Sequence, residues 1–224
     1  MSKEAAIELQ TRYPKVDFLF IDVPKGTPVN CVCCDNHQGA NLAIKHLTEQ
    51  NRKKVFIVAG PKNFNVSQLR LEPWLEAAKE SGVDIVGIYE GNWLPESGFL
   101  AVQSVIAKGD YFDAVLCAND QMALGAIRAL SEVNISIPGE VSVVGFDGIE
   151  DAAYYFPPLT TSKQDFILMG KTAVDTLVQN GATSSPERIE TAVELLVRKS
   201  SVAAHAAHDR AKVSMLIKKL NSLI

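Results

Sequence analysis

The chain has 224 residues, 47% of them apolar and 21% charged, with a formal net charge of −4. That is enough for one large or two modest domains with a real core. It holds no basic stripe to grip nucleic acid by itself and no apolar run of bilayer length, and its opening MSKEAAIELQ reads as charged and helical rather than as a secretory leader.

Ser2 to Tyr13 reads as a short helix, closed by Pro14. Val16 to Ile21 (VDFLFI) reads as a strand with Asp22 at its carboxyl end, and Pro24 to Pro28 as a turn. Val29 to Cys34 forms a second strand ending in Asp35, and Asn36 to Gln50 a helix with Ala40, Leu42, Ala43 and Leu47 inward. Lys54 to Ala59 is a third strand, followed by Gly60-Pro61 and a polar loop. A helix from about Val66 to Gly82 carries Arg70 in its first turn. Asp84 to Tyr89 is a strand followed by Gly91-Asn92-Trp93, and Pro95 opens a helix to about Lys108.

The most orderly stretch is DAVLCANDQMALGAIRAL, residues 113 to 130. Ala114 to Ala118 is an apolar run suited to a buried strand, and Met122, Ala123, Ala126, Ile127 and Leu130 recur at helical steps. Asn119 and Asp120 stand at the junction, where the helix must be capped. Beyond a turn at Asn134 to Glu140, Val141 to Phe146 is a strand with Asp147 at its end. Tyr154 to Leu159 is a rigid loop holding Pro157-Pro158. Thr160 to Lys163 leads through Gln164 and Asp165 into a helix from Phe166 to Gln179, and Ala192 to Val197 is the last strand.

Strands alternating with helices over short loops predict an α/β fold built on one parallel sheet or two. Small molecules bind outside the carboxyl ends of such strands. Those ends offer Asp22, Asp35, the loop before Arg70, Asn92, Trp93, Asn119, Asp147 and Gln164. Each residue alone caps a helix or shapes a turn as readily as it meets a ligand. Together, carboxylates, amides, a guanidinium and an indole suit a polyhydroxylated ligand. The sequence has no Gly-x-Ser-x-Gly elbow, no Walker A loop and no Gly-x-Gly-x-x-Gly, so no enzyme is expected. A glycosidase pair among Asp22, Asp35 and Asp147 is the rival reading. The four cysteines, Cys31, Cys33 and Cys34 in VNCVCC and Cys117 apart, lack the second cluster that zinc needs. They read as small buried hydrophobes in a reducing cytoplasm. His37, His46, His205 and His208 form no ligand set, so neither metal nor cofactor is expected.

The blocks FLFIDVPKGTPVN, AGPKNFNVSQLRLEPW, YEGNWLPESGF, DAVLCANDQMALGAIRAL and VSVVGFDGIEDAAYYFPPLTTSKQDF closely resemble the effector-binding core of the LacI/GalR transcription repressors, over about residues 14–199. The resemblance implies a type I periplasmic-binding-protein-like fold: two Rossmann-like lobes with parallel sheets and a sugar between them. It implies lobe crossings near Cys34–Asn36, Lys163–Phe166 and Val193–Leu196. Residues 1–35 with 164–191 then form a partial, incomplete N-terminal lobe, and residues 36–163 with 192–199 a C-terminal lobe. The family's inducer contacts carry over to Asp22, Arg70, Trp93, Asn119, Asp147, Gln164 and Phe166, and the strand ends had indicated all of these but Phe166. Cys34 stands where similar members have a phenylalanine beside the sugar, so a smaller pocket wall is expected.

The family's helix-turn-helix headpiece, hinge helix and first part of the N-terminal lobe have no counterpart in the sequence, so operator DNA would be reached only through a headpiece outside this chain. The incomplete sheet is expected to expose an edge and an apolar face, giving poor solubility or pairing with another chain. After Ser200 a small-residue linker precedes DRAKVSMLIKKLNSLI, where Val213, Leu216 or Ile217, Leu220, and Leu223 or Ile224 follow heptad steps. Fewer than two heptads fit an ordinary amphipathic terminal helix as well. A similar terminal helix joins dimers into tetramers in a member of the family, and that resemblance implies a homodimer or homotetramer for residues 200–224 to support. The expectation is a cytoplasmic, sugar-binding core of a transcriptional regulator, taking a galactoside-type inducer and exerting allosteric control without touching a membrane. The runner-up is the sugar-binding protein of a transport system. Asp147→Ala is expected to weaken binding with the melting curve nearly unchanged.

Overall fold

The computed structural model describes residues 1–180 and 185–202, so the expected terminal helix, His205 and His208 lie outside the described residues. In chain order the elements are α1 (Lys3–Arg12), β1 (Phe20–Ile21), β2 (Cys31–Cys34), α2 (Asn36–Glu49), β3 (Lys54–Ala59), α3 (Asn65–Ser81), β4 (Asp84–Glu90) and α4 (Pro95–Lys108). They continue with β5 (Ala114–Cys117), α5 (Asp120–Glu132), β6 (Ser142–Asp147), a 3-10 turn (Glu150–Tyr154), β7 (Thr160–Gln164), α6 (Phe166–Asn180), β8 (Arg188–Thr191) and β9 (Val193–Leu196). Helix starts follow the capping chemistry. Ser2 accepts from the Ala5 N–H, Asp35 from Gln38, Asn119 from Met122 and Asp165 from Leu168, at 2.8–3.2 Å.

Two sheets form. The smaller has three parallel strands in the order β1-β2-β8, and the larger has six in the order β4-β3-β5-β6-β7-β9. The core lies mainly about the larger sheet, whose inner strands carry the buried runs Val55–Ala59 and Ala114–Cys117 with Val143, Val144 and Phe146. From β3 the chain steps outward to β4, whereas from β5 it steps the other way to β6. Right-handed crossovers in opposite directions send α3 and α4 to opposite faces, and a crevice opens between the ends of β3 and β5.

Three expectations are corrected. The larger sheet is not wholly parallel, because β9 runs antiparallel to β7, with Thr161 opposite Leu196 and Gln164 opposite Val193. The reason is local: β8 ends at Thr191 beside Cys34, and only Ala192 separates it from β9. A parallel pairing needs a long crossover, so a chain that enters the sheet at this end must run back down it. The third crossing therefore falls at Ala192, before the expected Val193–Leu196. Finally, VDFLFI yields a ladder only at Phe20–Ile21, since among the described residues β1 is an edge strand with β2 as its one neighbour, and Val16 is exposed. Strand propensity without a second partner leaves Val16 to Leu19 outside the sheet.

Helices α4 and α5 lie almost backbone to backbone. A Cβ built on Gly125 of α5 would stand 1.7 Å from the Pro95 carbonyl oxygen. Gly125→Ala is expected to lower stability by about 1–3 kcal/mol in urea unfolding, the cost of overpacking a filled contact. An unchanged midpoint would contradict this packing.

Candidate functional site

The parallel strands deliver their carboxyl ends to one side of the molecule, where a cavity of about 430 Å³ lies between the two sheets. Ile21 and Asp22 after β1 and Phe166, Met169 and Gly170 of α6 line one side. Val66 and Arg70 of α3, Trp93 after β4, Asn119 after β5, Asp147 at the end of β6 and Gln164 at the end of β7 line the other. The structure thus brings together all seven residues singled out from the sequence.

Arg70 sits in the second turn of α3, not the first, because the helix begins at Asn65. Its side chain is 6% exposed, and Nη2 pairs with Asp147 Oδ1 at 2.9 Å. Nη1 donates to the Ala118 carbonyl, and the guanidinium lies 4.2 Å from the Phe146 ring centroid and 5.9 Å from that of Trp93. Gln164 Nε2 donates to the same Asp147 oxygen at 2.7 Å. Asp147 holds its position at a φ of +113°, and Asp22 and Trp93 also have positive φ, at +52° and +72°. Non-glycine residues take such backbone only where their surroundings compel it, a feature concentrated at functional sites.

Two buried polar atoms of this site have no protein partner: Asp22 Oδ1 and Arg70 Nε. Burial raises the carboxyls of Asp22 and Asp147 above the ordinary range, against the opposing pull of Arg70. Asn119 is largely spoken for: its Oδ1 caps α5 and its Nδ2 donates to the Trp93 carbonyl at 3.0 Å. It both caps the helix and holds the indole-bearing turn. The Trp93 ring packs over Gly60, where a Cβ would come within 2.2 Å of it, and meets Phe64 edge-on at 6.2 Å.

The other strand-end candidates hold local backbone. Asp35 caps α2, and Asn92 Oδ1 accepts from the Leu94 N–H at 3.0 Å in the turn before α4, whose start has no side-chain cap. Cys34 is fully buried and is absent from the cavity lining, so the expected smaller wall is not formed by its side chain. Burial pushes its thiol up to about 12. All four cysteines are free and buried. His46 is buried too, with Nε2 2.7 Å from Ser201 Oγ. Among the described residues no group of three or more His, Cys, Asp or Glu could hold a metal ion.

Sequence reasoning missed four lining residues: Ile21 beside Asp22, and Val66, Met169 and Gly170 on helices. Val66 lies one turn before Arg70, and Met169 and Gly170 one turn after Phe166, so helical spacing from a known contact would have found them. It also missed Asp120, fully buried behind the site, which accepts from Thr161 Oγ1 at 2.6 Å and from the Ile149 N–H at 2.9 Å. Asp120 thereby anchors the turn that follows Asp147. Burial pushes its carboxyl up to about 6.

Comparison with known proteins gives a consistent picture. Residues 44–201 match the family model described as a periplasmic binding protein-like domain. The chain is 37% identical over 179 residues to the lactose operon repressor of Escherichia coli K12, covering 80% of this chain and 50% of that protein. It is 31% identical over 204 residues to the PurR transcriptional repressor of Haemophilus influenzae PittEE, covering 87% and 60%. The chain therefore spans about half to three fifths of the curated relatives it matches. Among solved structures, a lac repressor dimer bound to operator and the anti-inducer ONPF superposes with a TM-score of 0.87 at 35% identity, over 91% of this chain and 71% of that one. The transcriptional regulator CelR in complex with cellobiose superposes with a TM-score of 0.74 at 30% identity, over 82% and 58%.

The buried ion pair changes one expectation. Asp147→Ala leaves Arg70 charged, enclosed and unpaired, so the melting curve will not stay put: a loss of about 3–5 kcal/mol is expected in thermal or urea unfolding. A variant as stable as the parent would show that the pair is not enclosed. Asp120 adds a pH signature. A carboxyl raised from 3.8 to about 6 contributes stability that is present below pH 3.8 and lost as pH rises through 6. Unfolding free energy measured across that window should flatten in Asp120→Asn, and an unaltered slope would count against a buried, ionising Asp120.

Proposed function

The chain belongs to the LacI family of transcription repressors, through its periplasmic-binding-protein-like domain, and on that premise we propose that the cavity binds a sugar effector of galactoside type. The observation that carries the reading is a cavity lined by the residues of two buried orphan polar atoms, Asp22 Oδ1 and Arg70 Nε, with an indole as one wall. A buried polar atom without a partner is costly, and a ligand rich in hydroxyls supplies both a donor for the carboxylate and an acceptor for the guanidinium. Trp93 offers its face to the C–H side of a sugar ring, and Phe166 closes the opposite side. In this reading Asp147, Gln164 and Asn119 complete the contacts. Asn119 contributes what its two existing bonds leave free.

The ligand is bound without being altered. It touches residues 1–35 and 164–191, which we assign to one lobe, and residues 36–163 and 192–199, which we assign to the other. A ligand that favours one lobe arrangement shifts the population toward it and so changes operator affinity. DNA contact in this scheme belongs to a headpiece outside the chain, and the regulator acts in the cytoplasm as a homodimer or homotetramer. The solved relatives bound to operator with an anti-inducer and to cellobiose support a regulatory, sugar-responsive role over a transport one. No helix among the described residues is long and apolar enough to cross a membrane.

Asp22→Asn separates binding from folding. Its Oδ1 has no protein partner to lose, so the melting curve should hold or rise while galactoside affinity in calorimetry falls about tenfold or more. Loss of stability with binding intact would sink the assignment. Incubation with a chromogenic galactoside should give no turnover above blank, and sustained release of chromophore would restore the glycosidase reading.

A further inference from the structure

Cys31 and Cys33 of β2 share one face of the small sheet, since residues two apart on a strand point the same way. On β8 they stand opposite Arg188 and Glu190. Arg188 Nη1 reaches past β2 to the Val23 carbonyl at 3.0 Å and lies 3.9 Å from Cys31 Sγ, while Nε pairs with Glu190 Oε1 at 3.0 Å. Cys33 Sγ lies 3.9 Å from the same Glu190 oxygen. Ala6, Phe20, Val23 and Val29 pack with Cys31 in a small apolar cluster. Both thiols are buried, but their cover is an ion pair whose side chains are 22% and 41% exposed, and such a pair opens readily. The Cys33 thiol donates to Cys31, and that bond does most to bring Cys31 down to about 7, with Arg188 helping against burial. Sharing its proton with Cys31, together with burial, pushes Cys33 up.

We propose that Cys31 and Cys33 form a two-coordinate site for a soft, filled-shell cation such as Cu(I). Spacing decides between the fates open to two thiols. Alternate residues of a parallel strand set their β-carbons about 6.6 Å apart. A disulfide needs them at about 3.8 Å, so forming one would pull the middle strand out of its ladder. A thiolate–metal–thiolate bridge, with metal–sulfur bonds of about 2.3 Å, holds its sulfurs roughly 4.6 Å apart, which the two side chains reach by leaning inward. The sequence argument against zinc stands, because zinc takes four ligands and the cluster offers two sulfurs and a carboxylate. Thiolates select Cu(I), which is content with two of them. As the two bonds form, Cys31 and Cys33 each release a proton to solvent and no oxidation state changes. The bridge then carries one negative charge, which Arg188 meets as the half-exposed Glu190 turns to water. The site does not depend on the sugar reading.

Anaerobic competition of the full chain against the chelator bicinchoninate tests this. The unaltered protein should withhold one equivalent of Cu(I), and Cys31→Ser and Cys33→Ser should each weaken the hold about a hundredfold or more. Cys34→Ser combined with Cys117→Ser should keep it, and the mass by light scattering should not rise on loading. Failure to withhold Cu(I) would overturn the site, as would serine variants at 31 and 33 that hold the ion unchanged. So would loss of the ion from the Cys34, Cys117 variant, or a loaded protein of doubled mass. If a serine variant does not fold, X-ray absorption on the unaltered loaded protein decides. Two sulfurs at the ion are expected there, and any other number would overturn the assignment.

Discussion

The site is organised by the need to keep one buried cation neutralised. Arg70 cannot lose its proton, so enclosing its guanidinium requires an anion, an aromatic face and carbonyl acceptors held in place beforehand. Asp147 supplies the charge, Phe146 the face and Ala118 the carbonyl, while Gln164 steadies the Asp147 oxygen that Arg70 uses. These partners come from the end of β5, from β6 and from β7, so a single guanidinium carried by α3 ties together three neighbouring strands of the large sheet. The unusual backbone at Asp147 follows from the same demand, with Asp120 anchoring the turn behind it.

Among the described residues, six buried polar side-chain atoms lack a partner, and two of them, Asp22 Oδ1 and Arg70 Nε, belong to residues that line the cavity. Asp120 and the Asn119 oxygen are committed to holding backbone, and Asp35 to capping a helix. Asp22 and Arg70 share the cavity lining with the Trp93 indole. Under the proposed function, a partly desolvated site of this kind costs stability when empty and regains it on binding, which would couple occupancy to the relation between the two sheets. The crossings between sheets are short. Asp35 and Asp165 each cap the helix that follows at once, and Ala192 alone separates β8 from β9. Few residues are therefore available to absorb any change in sheet orientation, which would have to fall at those positions.

Much of this was legible in the chain itself. Lys54–Ala59 and Pro95–Lys108 match their expected bounds because an apolar run with turn chemistry on both sides, or a proline at the first helical position, marks its own limits. The polar strand ends could be read as one edge because parallel strands bring their carboxyl ends together whatever their spatial order. That logic delivered Asp22, Arg70, Trp93, Asn119, Asp147 and Gln164 to one cavity, whereas Phe166 came by resemblance alone.

Local sequence determined the α/β alternation, the helix caps and the identity of the polar strand-end residues, since each depends on interactions within a few residues. Tertiary structure decided the rest. It separated Asp35, which caps a helix, and Asn92, which holds a turn, from Asp22 and Asp147, which line the cavity, because only the packing of two sheets distinguishes an edge that meets a hollow from one that does not. It reversed β9, since strand direction depends on where the chain enters the sheet, and it left VDFLFI mostly unpaired, since a ladder needs a neighbour as well as propensity. It also showed that Arg70 and Asp147 neutralise each other in an enclosed setting, a distance between residues far apart in sequence that no local pattern encodes.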